Sequence, residues 1–228
     1  MLLRRLASVL LLAASLLEGG MDVAMPDLNV EGTLFLVNRQ HMISEDYIPD
    51  TRAVATQGAG QSMVEEAAQA LEVMMTAARD DGLNMVCVSG YRSYVKQSMI
   101  FERKLKSTRS EKEAMLLVAL PGSSEHQMGL AMDLGNKGSV KLTGSFGDTP
   151  AGKWLVEHAH EYGFIIRYQE GYTDVTGYAY EPWHVRYVGA AHAGRIRESG
   201  LPMEYYVSAH RKEIYQYLIH LTENEVLP

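Results

Sequence analysis

Short apolar runs alternate with helical patterns along this chain, but never in the regular strand–helix–strand rhythm that a parallel sheet requires. That irregularity is the strongest constraint on the fold. Thr33–Val37 reads as a first strand. Asn84–Val88 reads as a short buried strand, Gly129–Leu134 alternates as a strand does, and Phe164–Arg167 and Trp183–Val188 complete the set. Between them lie helical stretches. Ser62 followed by Glu65 has the form of a capping box, and apolar Ala67, Ala70, Leu71 and Met74 then follow at helical spacing as far as Gly82. Further helices are predicted over Tyr94–Lys106, from Ser110 to a break at Pro121-Gly122, from Pro150 to Gly163, and over Met203–Leu221. Such an order implies an α+β domain: a small, mostly antiparallel sheet flanked by helices.

The domain is expected to span residues 31–228, its C-terminal tail helical, with a polar linker over 21–30. The first 20 residues differ in kind. Arg4 and Arg5 precede an uncharged apolar run, Leu6–Leu17, which is the layout of an export signal and is short for a bilayer span. The segment is either removed or kept as an anchor, so the chain is expected outside the cytoplasm: secreted, periplasmic or membrane-anchored and facing the cell wall. A net charge of -7, with no basic block after the N-terminus, argues against nucleic acid as a partner. The single cysteine, Cys87, lies in an apolar run, so no disulfide framework or thiolate metal cluster can form within one chain. A small buried strand residue is its expected role.

Residues with chemistry fall in three separate segments. His126 and Asp133, seven apart with Gly129 and Ala131 between them, are too distant for one helical turn and suit a loop entering a strand. Imidazole and carboxylate together suit zinc, and His184 in Glu181-Pro182-Trp183-His184 is the third candidate, expected to meet the others at one edge of the sheet. Three protein ligands leave a coordination position for water, as in catalytic rather than structural zinc sites. Hydrolysis also needs a proton acceptor, and Glu181 is the candidate, projecting with His184 from an extended loop because Pro182 excludes a helix. Arg92, at the end of the Asn84–Val88 strand, offers a fixed charge for a terminal carboxylate or an oxyanion. Gln97 and Ser124 could donate to the same ligand. Taken singly, each residue has a plainer role: His126 as a satisfied core histidine, Asp133 as a turn former, Glu181 as a solvated charge, Arg92 in a salt bridge, Gln97 and Ser124 as caps.

Together, Ser89-Gly90-Tyr91-Arg92-Ser93 with Gln97, Ser124-x-His126-x-x-Gly129-x-Ala131-x-Asp133, and the run from Gly177 through Glu181-Pro182-Trp183-His184 to Gly189 resemble the VanY-type D-alanyl-D-alanine carboxypeptidases. The likeness covers roughly 34–191 and leaves the tail after about Gly200 uncovered. It implies Zn2+ held by His126, Asp133 and His184, Glu181 as catalytic base and later acid, and Arg92, Gln97 and Ser124 on the substrate. It also implies the α+β zinc-peptidase fold shared with D-Ala-D-Ala dipeptidases and the zinc-binding domain of hedgehog proteins. The expected activity is removal of the terminal D-alanine from peptidoglycan stem peptides or their precursors. An L,D-carboxypeptidase, a D-Ala-D-Ala dipeptidase and a non-catalytic zinc-containing module that binds wall peptide remain open. The loops at 135–149 and 171–178 would govern how much peptide fits.

Overall fold

The structure is a computed structural model and describes residues 22–24, 32–56 and 60–225. The expected export segment, residues 1–20, lies outside the described residues, and no described helix is long and apolar enough to cross a membrane. Two short pairings precede the main sheet. Asp22–Ala24 (β1) runs parallel to His41–Ile43 (β2), and Arg52–Ala53 (β3) antiparallel to Ser62–Met63 (β4). Residues 22–24, expected within a linker, are thus a paired strand, since ladder hydrogen bonds place no demand on side-chain polarity.

Met85–Ser89 (β5), Ala131–Asn136 (β6), Phe164–Tyr168 (β7) and Glu181–Tyr187 (β8) form one antiparallel sheet in the order β5-β6-β8-β7. The helices are Glu65–Asp80 (α1), Tyr94–Thr108 (α2), Glu111–Leu117 (α3), Pro150–His158 (α4), the single turn Thr173–Thr176 (α5), Ala190–Ser199 (α6) and Met203–Glu225 (α7). The α+β class read from the sequence is the observed one.

One face of α1, carrying Ala67, Leu71, Met74 and Ala78, packs in the main core with Met132, Leu134 and Val185 of the sheet. Full burial of Leu71 or Met74 is worth roughly 1.5–3 kcal/mol each. That exceeds any helix-propensity difference, so packing holds α1 in place. Alternation along β7 sends Phe164 and Ile166 to this core and Ile165 to a second, smaller one. There Ile165 and Val188 meet Leu34, Leu36, Ile196 of α6, and Met203 and Val207 of α7.

Three local expectations are corrected. Thr33–Val37 is not a strand: Gly32–Leu34 makes a 3-10 turn, and the next three residues pair with no strand. A buried guanidinium takes the place of a neighbouring strand, because Arg186 Nη2 donates to the carbonyls of Thr33 (2.8 Å) and Phe35 (2.9 Å). Ser62 is not a helix cap. It belongs to β4, and the residue capping α1 is Val64, with no side-chain cap bond. The acidic first turn, Glu65-Glu66, favours the positive end of the helix dipole instead. Glu181 and His184 stand on a strand, not a loop. The β7–β8 register shifts between Ile166 and Tyr168, and Pro182 falls in that irregularity, where its missing N–H breaks no ladder bond.

Candidate metal centre

Asp133 and His184 are direct register partners on the two central strands, so the antiparallel pairing alone brings carboxylate and imidazole together. His126 arrives from the 3-10 turn Glu125–Met128, which Gly129 closes at a φ of 69°. A side chain at position 129 would also press on Thr51 and Val64, so glycine answers both demands. The turn is stitched to the end of β5: Arg92 N–H donates to the His126 carbonyl (3.1 Å), and His126 Nδ1–H donates to the Gly90 carbonyl (2.8 Å). A Cβ at position 90 would lie 2.5 Å from the Ser62 carbonyl oxygen, so this close passage also needs glycine.

With Nδ1 of His126 spent on Gly90, its Nε2 faces Oδ1 of Asp133 at 3.4 Å, and Nδ1 of His184 approaches the same oxygen at 3.2 Å. Potential ligand atoms of all three residues lie within 4.8 Å of one another, and all three side chains are buried. Neither Nε2 of His126 nor Oδ1 of Asp133 has a hydrogen-bond partner, although each is fully enclosed. Two enclosed, unsatisfied acceptors converging with a third donor suit a divalent cation of the zinc type.

The electrostatics follow from burial and neighbours. Desolvation, reinforced by the nearby Arg92 charge, lowers the His126 pKa to about 4. For Asp133, desolvation is outweighed by the two histidines, which hold its carboxyl well below the usual range. Desolvation also opposes a charge on His184, but the Asp133 and Glu125 carboxylates facing its two nitrogens win and raise it to about 9. Glu181, with Oε2 3.7 Å from Nδ1 of His184, is raised to about 8 by desolvation and by the neighbouring Asp133 and Glu125 carboxylates, against the pull of His184 and Arg92. Burial raises the Cys87 thiol to about 11, consistent with a packed strand residue.

These groups open onto a cavity of about 240 Å³. Arg92 and Ser124 line it, and the Ser124 hydroxyl makes no capping bond. Gln97 stands behind the wall rather than on it: its side chain is fully buried, and Nε2 donates to the carbonyl of Ala119 (2.7 Å), which does line the cavity. Gln97 thus braces the wall through Nε2, while its Oε1 has no hydrogen-bond partner. Lys104, Leu142, Tyr168, Tyr178 and Trp183 also face the cavity. A second depression of about 280 Å³, lined by Leu155, Ile165 and Ile196, holds none of the converging metal-type donors.

Sequence reasoning missed a buried charged network behind the centre. Oε1 of Glu125 accepts from Arg167 Nε (2.7 Å) and lies 2.8 Å from Arg186 Nη1, while Oε2 lies 3.4 Å from Nε2 of His184. Arg167 then forks onto Glu204 at 2.9 and 2.6 Å. Desolvation of Glu125 is outweighed by the two guanidinium groups, so it stays ionised. The available signal was an arginine inside each of two apolar strand runs, Ile166-Arg167-Tyr168 and Val185-Arg186-Tyr187, because a buried guanidinium requires a partner.

Comparison with known proteins agrees with this geometry. A sequence profile of the family VanY, D-alanyl-D-alanine carboxypeptidase, matches residues 60–190. A putative carboxypeptidase, YodJ, of Bacillus subtilis (strain 168) is 41% identical over 192 residues, covering 81% of this chain and 70% of its own. A D-alanyl-D-alanine carboxypeptidase of Enterococcus faecalis is 35% identical, covering 79% and 68%. Among solved structures, the LdcB LD-carboxypeptidase superposes with a TM-score of 0.73 at 40% identity, covering 82% of this chain and 93% of that one. VanYB in complex with D-alanine-D-alanine gives 0.68 at 36%, covering 77% and 97%. A zinc(II) complex of the vancomycin-resistance D,D-pentapeptidase VanY gives 0.67 at 34%, covering 77% and 98%.

Proposed function

Because this chain belongs to the VanY family of D-alanyl-D-alanine carboxypeptidases, we propose that it is a zinc-dependent peptidase that removes the terminal D-alanine from peptidoglycan stem peptides. The observation that carries the zinc reading is the convergence of His126, Asp133 and His184 on one point, with two enclosed acceptor atoms left unsatisfied. His126 would bind through Nε2 and His184 through Nδ1, since their other nitrogens face Gly90 and Glu125. When bound, zinc polarises the scissile carbonyl and lowers the pKa of water.

This chain's residues supply the rest. Glu181 accepts the proton from the attacking water and returns it to the departing D-alanine nitrogen. Its raised pKa suits both halves of that exchange, and a cation in the same pocket favours the carboxylate form it needs first. Arg92 pairs with the substrate's terminal carboxylate or with the oxyanion that forms at the attacked carbon. Ser124, which also lines the cavity, donates to the same peptide.

The higher structural likeness to LdcB supports a second reading, an L,D-carboxypeptidase acting on a tetrapeptide. A purely binding module is disfavoured, because it would have no use for Glu181 beside the donors. Export to the cell wall is part of the proposal and rests on Arg4, Arg5 and the run Leu6–Leu17. Mass spectrometry of products from a pentapeptide, a tetrapeptide and free D-Ala-D-Ala, with and without chelator, tests the reading. Chelator-sensitive D-alanine release from the pentapeptide is expected. Release from the tetrapeptide alone would move the assignment to L,D cleavage, and no release from any of the three would overturn the peptidase reading.

A further inference from the structure

Helix α7 lies beyond the residues matched by the family profile, and the chemistry above makes no use of it. Its first turn nevertheless reaches the metal centre through two ion pairs. Glu204 grips Arg167 with both carboxylate oxygens, Arg167 holds Oε1 of Glu125 through Nε, and Oε2 of Glu125 faces Nε2 of His184. Arg167 and Glu125 are enclosed, their side chains 1% and 0% exposed.

Charge balance gives this chain of contacts its meaning. Glu125 alone faces two buried guanidiniums, Arg167 and Arg186, which would leave one cation unmatched. Glu204 supplies the second carboxylate. Without it, Arg167 would have to draw both oxygens of Glu125 to itself, and Oε2 would leave His184. Anchoring the helix does not by itself require this pair, because Met203 and Val207 already bury in the second core. Resting on the zinc reading, we propose that Glu204 is a positioning residue for the metal centre. By holding Arg167 from the helix side, it frees Glu125 to accept from His184 Nε2–H and so keeps Nδ1 turned toward the metal. A ligating histidine held in this way by an outer carboxylate is a general device for fixing tautomer and ring orientation.

Zinc affinity of the full-length protein, measured by competition with a chromophoric chelator, tests the proposal. Glu125→Gln is expected to weaken zinc binding by about 10–100-fold, and Glu204→Gln by an amount near the lower end of that range. Glu213→Gln, an exposed change on the same helix, should leave affinity unchanged. In the double variant, Glu204→Gln should add little to Glu125→Gln, because both act through one contact, whereas a merely structural role would give additive losses. Unchanged zinc affinity in Glu204→Gln, or additivity in the double variant, overturns the proposal while leaving the zinc reading intact. A wild-type protein that takes up no zinc overturns both, so the two failures are distinguishable.

Discussion

Two charged clusters lie back to back in this domain, sharing His184, and they differ in how their acceptor atoms are satisfied. On one side, His126, Asp133 and His184 crowd their donor atoms together and leave Nε2 and Oδ1 without partners. On the other, both carboxylates are taken up, Glu125 by Arg167, Arg186 and His184 and Glu204 by Arg167, although Arg186 Nη1 meets Glu125 as an ion pair without a hydrogen bond. Both are largely buried, with only Glu204 partly exposed, so burial alone does not separate function from support. Satisfaction does. A buried cluster with unspent lone pairs is arranged for a ligand, whereas one with its charges matched is arranged to hold its neighbours still.

The contrast is broken most severely from the unsatisfied side. Glu181→Gln is expected to lower kcat by roughly 10²–10⁴-fold, the range for a general acid–base group, while zinc content by elemental analysis stays near that of the wild type. Retention of near-normal turnover would remove Glu181 from its role. The same substitution separates the clusters by pH. The folded-state pKa of Glu181, about 8, lies above its unfolded value of 4.5. Its contribution to stability is therefore complete below 4.5 and lost as pH rises through about 8. Thermal melts of the metal-free protein should show Glu181→Gln escaping that loss, and parallel curves for the two proteins from pH 5 to 9 would contradict it.

On the satisfied side, Arg167→Met should destabilise the protein by about 3–5 kcal/mol in denaturant titrations, because Glu125 and Glu204 lose the guanidinium they share. A loss below about 1 kcal/mol would show that the network is not matched as described. The smallest effect lies at the shared residue. His184 keeps its proton up to about pH 9 in the metal-free protein, and a ligand must give that proton up. Zinc affinity should therefore rise by about tenfold per pH unit between pH 7 and 8.5. A flat profile would mean that His184 is already neutral.

The two sides were also unequally legible in the sequence. His126, Asp133, His184 and Glu181 could be named because few residue types coordinate zinc or move protons, and their segments carry a recognisable pattern. The α+β class followed from irregular alternation of short runs. Glu125, Arg167 and Glu204 could be suspected at most as charges in awkward places, because their pairing spans from 37 to 42 positions along the chain and depends on how β7 and α7 pack. The same non-local logic explains Thr33–Val37, whose composition suits a strand but whose carbonyls are claimed by Arg186. Gln97 could be placed in the neighbourhood of the site, but only packing could show that its Nε2 donates to the Ala119 carbonyl.

Calorimetric titration of the metal-free protein with zinc tests the central claim most directly, because it asks whether the unsatisfied cluster is built for a metal. One zinc per chain is predicted, retained in Glu181→Gln and lost in His184→Ala. Absence of binding in the wild type, or binding that survives His184→Ala unchanged, would contradict it.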